Sequence, residues 1–293
     1  MSTFLLLTIT GLGLGAMYFL VASGLSLIYG LMGVLNFAHG VFITVTAYAL
    51  WFTESKLGGV PVLPRFLIAA VVGLIVAVVF AALTELVLIR RLYGRHIEQV
   101  LVTVGLALSV TALVTAIWGS DARVVVAPTW VGETTTIFGA HIPNDRWLEI
   151  GTAVVVLFGL EAFLRRTRYG LIVRAGVENR AMVTALGIDV RKSFTLVFMI
   201  GGLAAGIAAV LYTLYSTTID PQQGTSLVIF AFIVVVIGGL GSIRGTAWAA
   251  VIVGLVQQYA NYYASSGLGD LSVVLLLGIV LIVQPGGLSR RFA

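Results

Sequence analysis

The chain has no cysteine, which excludes disulfides, thiolate metal sites and cysteine nucleophiles and leaves the redox compartment open. Charge is scarce too: 10% of the 293 residues are charged, against about 25% in soluble domains. Lysine occurs only at Lys56 and Lys192. Lys56 follows Ser55 and Lys192 follows Arg191, so neither completes the Gly-Lys-Ser/Thr of a phosphate-cradling loop, and any ATP used must be bound by another chain. A sequence that is 59% hydrophobic cannot cover a water-facing surface. Its apolar runs suit a bilayer core of roughly 30 Å, which takes about 20 helical residues per span. The length therefore reads as one membrane domain over 1–293, not as a string of soluble domains.

The net charge of +5 is read through topology, because basic residues mark cytoplasmic loops in membrane proteins; nucleic acid is a poor partner for this chain. The first twenty residues lack the positive flank of a secretory signal, and their apolar stretch runs well past 15 residues, so they form a retained first helix. From Phe4 to Leu50 no side chain is charged apart from a protonated His39. Forty-seven helical residues would reach about 70 Å, which makes two spans, with the break at Gly30-Leu31-Met32-Gly33. Further apolar segments fall at 66–89, 97–118, 147–164, 194–215, 225–240, 246–263 and 268–284. The expected fold is an all-α, polytopic membrane protein of about nine helices, with eight as the alternative.

With the amino terminus outside, Arg90, Arg91, Arg95, Arg165, Arg166, Arg168, Arg174, Arg180, Arg191, Lys192, Arg244, Arg290 and Arg291 lie inside, and only Lys56, Arg65, Arg123 and Arg146 lie outside. That asymmetry predicts a cytoplasmic carboxyl terminus. An outer loop at 119–146 alternates β-branched and polar residues and should be strand-like. A cytoplasmic loop at 165–192 carries an apolar stripe of Val173, Val177, Ala181 and Ala185, ended by Gly187, and should hold a short interfacial helix. Glycine clusters at 11–15, 201–206 and 238–245 should face other helices, since small residues let helices approach in lipid. The spans near 11–30 and 201–215 are weakly alike, a likeness too slight to assign a repeat.

Few side chains could carry chemistry. His39, Glu85, Glu98 and Glu161 are the intramembrane ionisable candidates; no His-Glu-x-x-His or Gly-x-Ser-x-Gly pattern occurs, so neither a metal site nor a catalytic site is predicted. Glu161 stands four residues before Arg165, the favourable order for a helical ion pair, and Glu85 is placed to pair with Arg90. Asn36 and His39 share a helix face one turn apart, and polar groups in an apolar stretch face a bundle interior or a watery path. A helix–helix hydrogen bond or a capping role for Asn36 is the competing reading. Gln257, Gln258 and Asn261 pose the same choice.

The segments GLSLIYGLMGVLNFAHG at 24–40, RRLYGRHIEQVLVTVGLALSV at 90–110, GLIVRAGVENRAMVTALGIDV at 170–190 and GGLGSIRGTAWAAVIVGLVQ at 238–257 resemble the LivH-like permeases of branched-chain amino acid ABC transporters. The likeness covers nearly the whole chain. It departs at Val41, where an acidic residue often follows NFAHG, and at Arg244, where proline is common. It implies a second, related permease, two ATP-binding subunits on the cytoplasmic side that carry ATP and magnesium, and a soluble binding protein outside. It also implies that Arg174, Glu178, Asn179, Ala185, Leu186 and Gly187 belong to the segment that docks on the ATPases.

The expectation is thus a permease subunit of an ATP-driven importer in a bacterial inner membrane, with no enzyme activity or cofactor of its own. Its solute would be a branched-chain amino acid or a related small molecule, and Asn36, His39 and Gln257 are the candidates for the path. A stand-alone secondary transporter or channel would call for intramembrane carboxylates at the midplane, and Glu85, the one carboxylate well inside a span, sits off centre.

Overall fold

The structure is a computed structural model that describes residues 2–178, 182–183, 187, 190–264, 267–284 and 286–288. Among them are ten α-helices: α1 Ser2–Met32, α2 His39–Lys56, α3 Val62–Leu83, α4 His96–Trp118, α5 Asn144–Arg166, α6 Arg168–Glu178, α7 Val190–Ser216, α8 Gln223–Gly238, α9 Ile243–Tyr263 and α10 Leu268–Val283. Each of the nine apolar segments is helical. α1 stops where expected: Gly33 adopts φ +64°, which glycine reaches without a Cβ penalty, and its N–H closes on the carbonyl of Tyr29.

The loop at 119–146 takes part in two short antiparallel pairs. β2 Thr134–Ile137 and β3 Ala140–Pro143 make a hairpin, with Thr134 opposite Pro143 and Ile137 opposite Ala140. β1 Arg123–Val124 pairs with β4 Thr218–Ile219, tying the end of α4 to the end of α7. Ile142 packs the hairpin onto Ile9 of α1.

The helices interlock through their small residues. Along α1, Gly11 faces Gly254, Gly15 faces Ala250 and Gly30 faces Gly241, while the Thr246 hydroxyl donates to Ser26 at 3.2 Å, so α1 and α9 run antiparallel. α3 and α7 do the same: Gly202 lies against Ala81 and Ala77, and Gly206 against Ala77 and Leu74. The glycine clusters thus face helices, as small residues in lipid should.

These pairings define two copies of one motif. In each set the second helix packs on the third, α2 on α3 and α8 on α9, and the first helix crosses over: α1 lies against α8 and antiparallel to α9, α7 against α2 and antiparallel to α3. The copies are inverted, an arrangement common in transporters.

Among the described residues, five helical stretches are by length and composition apolar enough to cross a membrane, or six if α8 and α9, bent by 117° at their junction, are taken as one span. The expected eight or nine exceeds that number for a physical reason. α8 has 16 residues, about 24 Å of helix, short of the roughly 30 Å core. α2, with 18 residues, begins inside the bundle after the non-helical segment 33–38. The Phe37 N–H donates to Thr103 Oγ1 at 3.3 Å, two turns into α4. Outward-facing side chains such as Ile75, Leu108, Val155 and Ile282 are apolar and exposed, as a lipid-facing surface requires.

Candidate translocation path and coupling surface

The inverted copies place two helix starts against each other in the middle of the bundle. A Cβ on Gly40, at the start of α2, would lie 2.4 Å from the carbonyl oxygen of Gly224, at the start of α8; one on Gly224 would lie 2.0 Å from that of Gly40. Only glycine lets the backbones touch in this way. Each helix is entered through the same turn. Asn36 Oδ1 accepts from the Ala38 N–H at 3.1 Å, and Asp220 Oδ1 accepts from the Gln222 N–H at 2.8 Å. Asn36-Phe-Ala-His39-Gly40 and Asp220-Pro-Gln-Gln223-Gly224 are therefore counterparts. Asp220 and Gln223 were missed in the sequence, although the shared spacing, polar-x-x-polar-Gly before an apolar run, was there to be read.

Of the three residues expected to mark a path, Asn36 borders an opening among the described residues. A cleft of about 140 Å³ is lined by Leu25, Leu35, Asn36 and Phe37 on one side and by Val228, Ile229, Phe232 and Ile233 of α8 on the other. Its rim residues Phe37 and Ile229 are exposed, so it opens on the outer surface of the bundle. Asn36 is 1% exposed and its Nδ2 has no hydrogen-bond partner, leaving one buried donor at the edge of an apolar cleft. His39 is enclosed: its Nε2 donates to the Val21 carbonyl at 3.1 Å, and its ring fills the space beside Gly24. Gln257 donates from Nε2 to Asp270 at 2.7 Å, bridging α9 and α10.

The carboxylates hold the bundle together. Glu85, 0% exposed, sits in a π-helical turn at Thr84–Leu88. It accepts from Arg90 at 3.2 Å, from Tyr93 and from Thr195 of α7 at 2.8 Å. The pairing with Arg90 is as expected. The pairing expected between Glu161 and Arg165 is not: Glu161 binds Arg244 of α9 through both carboxylate oxygens. A helical i,i+4 pair contributes only about 0.3–0.5 kcal/mol, and a fork-to-fork guanidinium contact across two helices is stronger.

The 165–192 segment turns sharply after α5. The Gly170 N–H is capped by Thr167 Oγ1 at 3.0 Å, and Gly170 sits against the Phe163 carbonyl, where a Cβ would come within 2.3 Å. α6 is the short helix expected there. Its Val173 is fully buried, and Ile172 and Ala175 pack with Met32 and Tyr93 on the cluster of Val183 and Phe194. Tyr169, Leu171 and Met182 are exposed, as is Arg174. Glu178 ends α6 and Gly187 has φ +77°; Asn179, Ala185 and Leu186, and with Ala181 two members of the expected apolar stripe, lie outside the described residues.

An inverted repeat of membrane helices, crossed at two glycine-paired helix starts, defines a multi-pass transport protein. Residues 7–284 match the family of the branched-chain amino acid transport system permease component, and the chain belongs to it. It is 29% identical to the high-affinity branched-chain amino acid transport system permease protein BraD of Pseudomonas aeruginosa, over 97% of this chain and 94% of that one. It is 28% identical to LivH of Escherichia coli K12, over 96% and 94% of the two chains. It is also 29% identical to the fructose import permease protein FruF of Bifidobacterium longum, over 85% of this chain and 69% of that one. No solved structure is significantly similar. The chain is therefore the permease component of an ABC-type uptake system and not an enzyme.

Proposed function

We propose that this permease moves a branched-chain amino acid, or a small solute of similar apolar character, along the cleft beside Asn36. A second, related permease would close the open side. The observation that carries this reading is the cleft itself: an almost wholly aliphatic and aromatic lining with one buried, unpartnered amide at the junction of two helix starts. Such a lining supports an aliphatic side chain over a sugar, and the amide supplies a hydrogen bond to a polar group in transit. His39 acts at one remove, by fixing α2 on α1.

In the same reading the amino terminus is outside and the carboxyl terminus cytoplasmic, a soluble binding protein delivers solute from outside, and two ATP-binding subunits dock on α6 and the residues that follow it. The exposed Arg174 beside apolar Leu171 and Tyr169, backed by the buried Glu85–Arg90–Thr195 network, supports a surface that passes a push on to α7 and α3. ATP-driven closure would then bias the permease between inward-open and outward-open states.

The test is uptake of radiolabelled leucine and fructose by the reconstituted transporter, with Asn36→Leu and Phe232→Ala in parallel. Leucine uptake should fall about tenfold in Asn36→Leu, the loss of one hydrogen bond of about 1.5 kcal/mol, with normal assembly. Unchanged uptake in both variants would remove the cleft from the path, and uptake of fructose in place of leucine would reassign the solute.

A further inference from the structure

A second groove, on another face of the bundle, is not used by this transport reading. It lies between α5 and α9, has a volume of about 470 Å³, and is lined by Leu157, Phe158, Glu161, Arg244, Trp248 and Val251, with Ala247 at its floor. Phe158 and Trp248 are 64% and 56% exposed, so it opens to the side of the bundle. A smaller cavity of about 130 Å³ shares Leu157, Ala247 and Val251 with it and continues to Ile150 and Leu12. From Ile150 to Glu161 is about 16 Å of helix at 1.5 Å per residue. The track is apolar along that length and polar only at one end, where Arg244, its side chain 53% exposed, meets Glu161. Arg165 follows one turn beyond Glu161, and Arg166 and Arg168 come next, so the polar end carries a net positive charge.

We propose that this groove binds an anionic phospholipid, with one acyl chain in the track and the phosphate on the guanidinium of Arg244. Two features of the track fit that occupant together. Its apolar run is the length of an acyl chain. Its charged end has the sign that pairs with phosphate, and basic pockets between membrane helices are known binders of anionic headgroups. Glu161 competes with the phosphate for Arg244, so the ion pair sets how tightly the lipid is held.

The experiment purifies the whole transporter, incubates it with vesicles of equal phosphatidylglycerol and phosphatidylcholine, and counts retained lipid by native mass spectrometry. Wild type should keep phosphatidylglycerol over phosphatidylcholine by about fivefold, the effect of one basic residue near a membrane surface. Arg244→Gln should abolish the preference. Glu161→Gln should strengthen it, a gain that misfolding would not produce. Val154→Trp, which fills the track, should lower retention of both lipids. Equal retention of the two lipids by wild type and both charge variants would overturn the proposal. So would a photo-crosslinker at Val154 that captured another subunit in place of lipid.

Discussion

At the scale of single residues, what a buried position touches sets what a substitution does. Glu85 has its bonds satisfied by Arg90, Tyr93 and Thr195, so Glu85→Gln leaves Arg90 short of a counter-charge next to a buried site. Breaking a buried pair costs about 3–5 kcal/mol; Arg90 is partly exposed, so the loss should sit near the lower end, seen as earlier thermal unfolding of the purified transporter. Gly40 and Gly224 fail by a different route. Alanine at either puts a methyl group onto the other's carbonyl, and overpacking of this sort costs about 1–3 kcal/mol. Uptake should fall in both variants, and serine should do no better than alanine, because the Cβ is the offence. Normal uptake by Gly224→Ala would show that the two helix starts can part without harm. Asn36 and His39 were legible in the sequence because polar residues stand out in an apolar run. That they divide, one to a cleft and one to a helix contact, was not legible: the spacing put both on one helical face, whereas Asn36 lies in the non-helical turn before α2 and only His39 is in the helix.

At the scale of elements, the helices were read from hydrophobic runs, and their ends from glycine. What the runs could not show is that α2 is reached through a non-helical segment inside the bundle, because the residues of 33–38, Gly-Val-Leu-Asn-Phe-Ala, are nearly as apolar as the helix they precede. The 165–192 loop is the element proposed to couple to the ATP-binding subunits. Ala175 lies in the interior of α6, packed on the Val183–Phe194 cluster, and proline there removes a hydrogen bond and costs about 3 kcal/mol or more. Ala175→Pro should leave membrane insertion normal and abolish both ATP-driven uptake and solute-stimulated ATPase activity of the assembled transporter. Glu178→Arg keeps the helix and reverses one charge at the proposed docking face; it should lose the same two activities. A helix that merely lay on lipid would tolerate that change, or bind anionic lipid better. Full uptake by Glu178→Arg would end the coupling role.

For the whole molecule, topology follows from where the basic residues fall. The absence of cysteine allows single cysteines to be placed cleanly. Ser120, in the exposed loop after α4, and Thr167, between α5 and α6, should sort to opposite sides: a membrane-impermeant thiol reagent added to intact cells should label Ser120→Cys and not Thr167→Cys. The reverse pattern would invert the orientation. The chain purified free of other subunits should show no ATP hydrolysis, as befits a family of permease components.

The sequence alone determined that the protein lives in a membrane, that it is helical, roughly where each helix lies, and that ATP must be bound elsewhere. These are properties of composition and of local runs, and the hydrophobic effect and backbone hydrogen bonding in lipid fix them segment by segment. Only the tertiary structure decided which helices meet. The inverted pairing of α1 with α9 and α7 with α3, the touch of Gly40 on Gly224, and the choice of Arg244 over Arg165 by Glu161 all join residues far apart in the chain. Such contacts depend on shape complementarity between whole helices. A single sequence records each surface but not the partner it was made to fit.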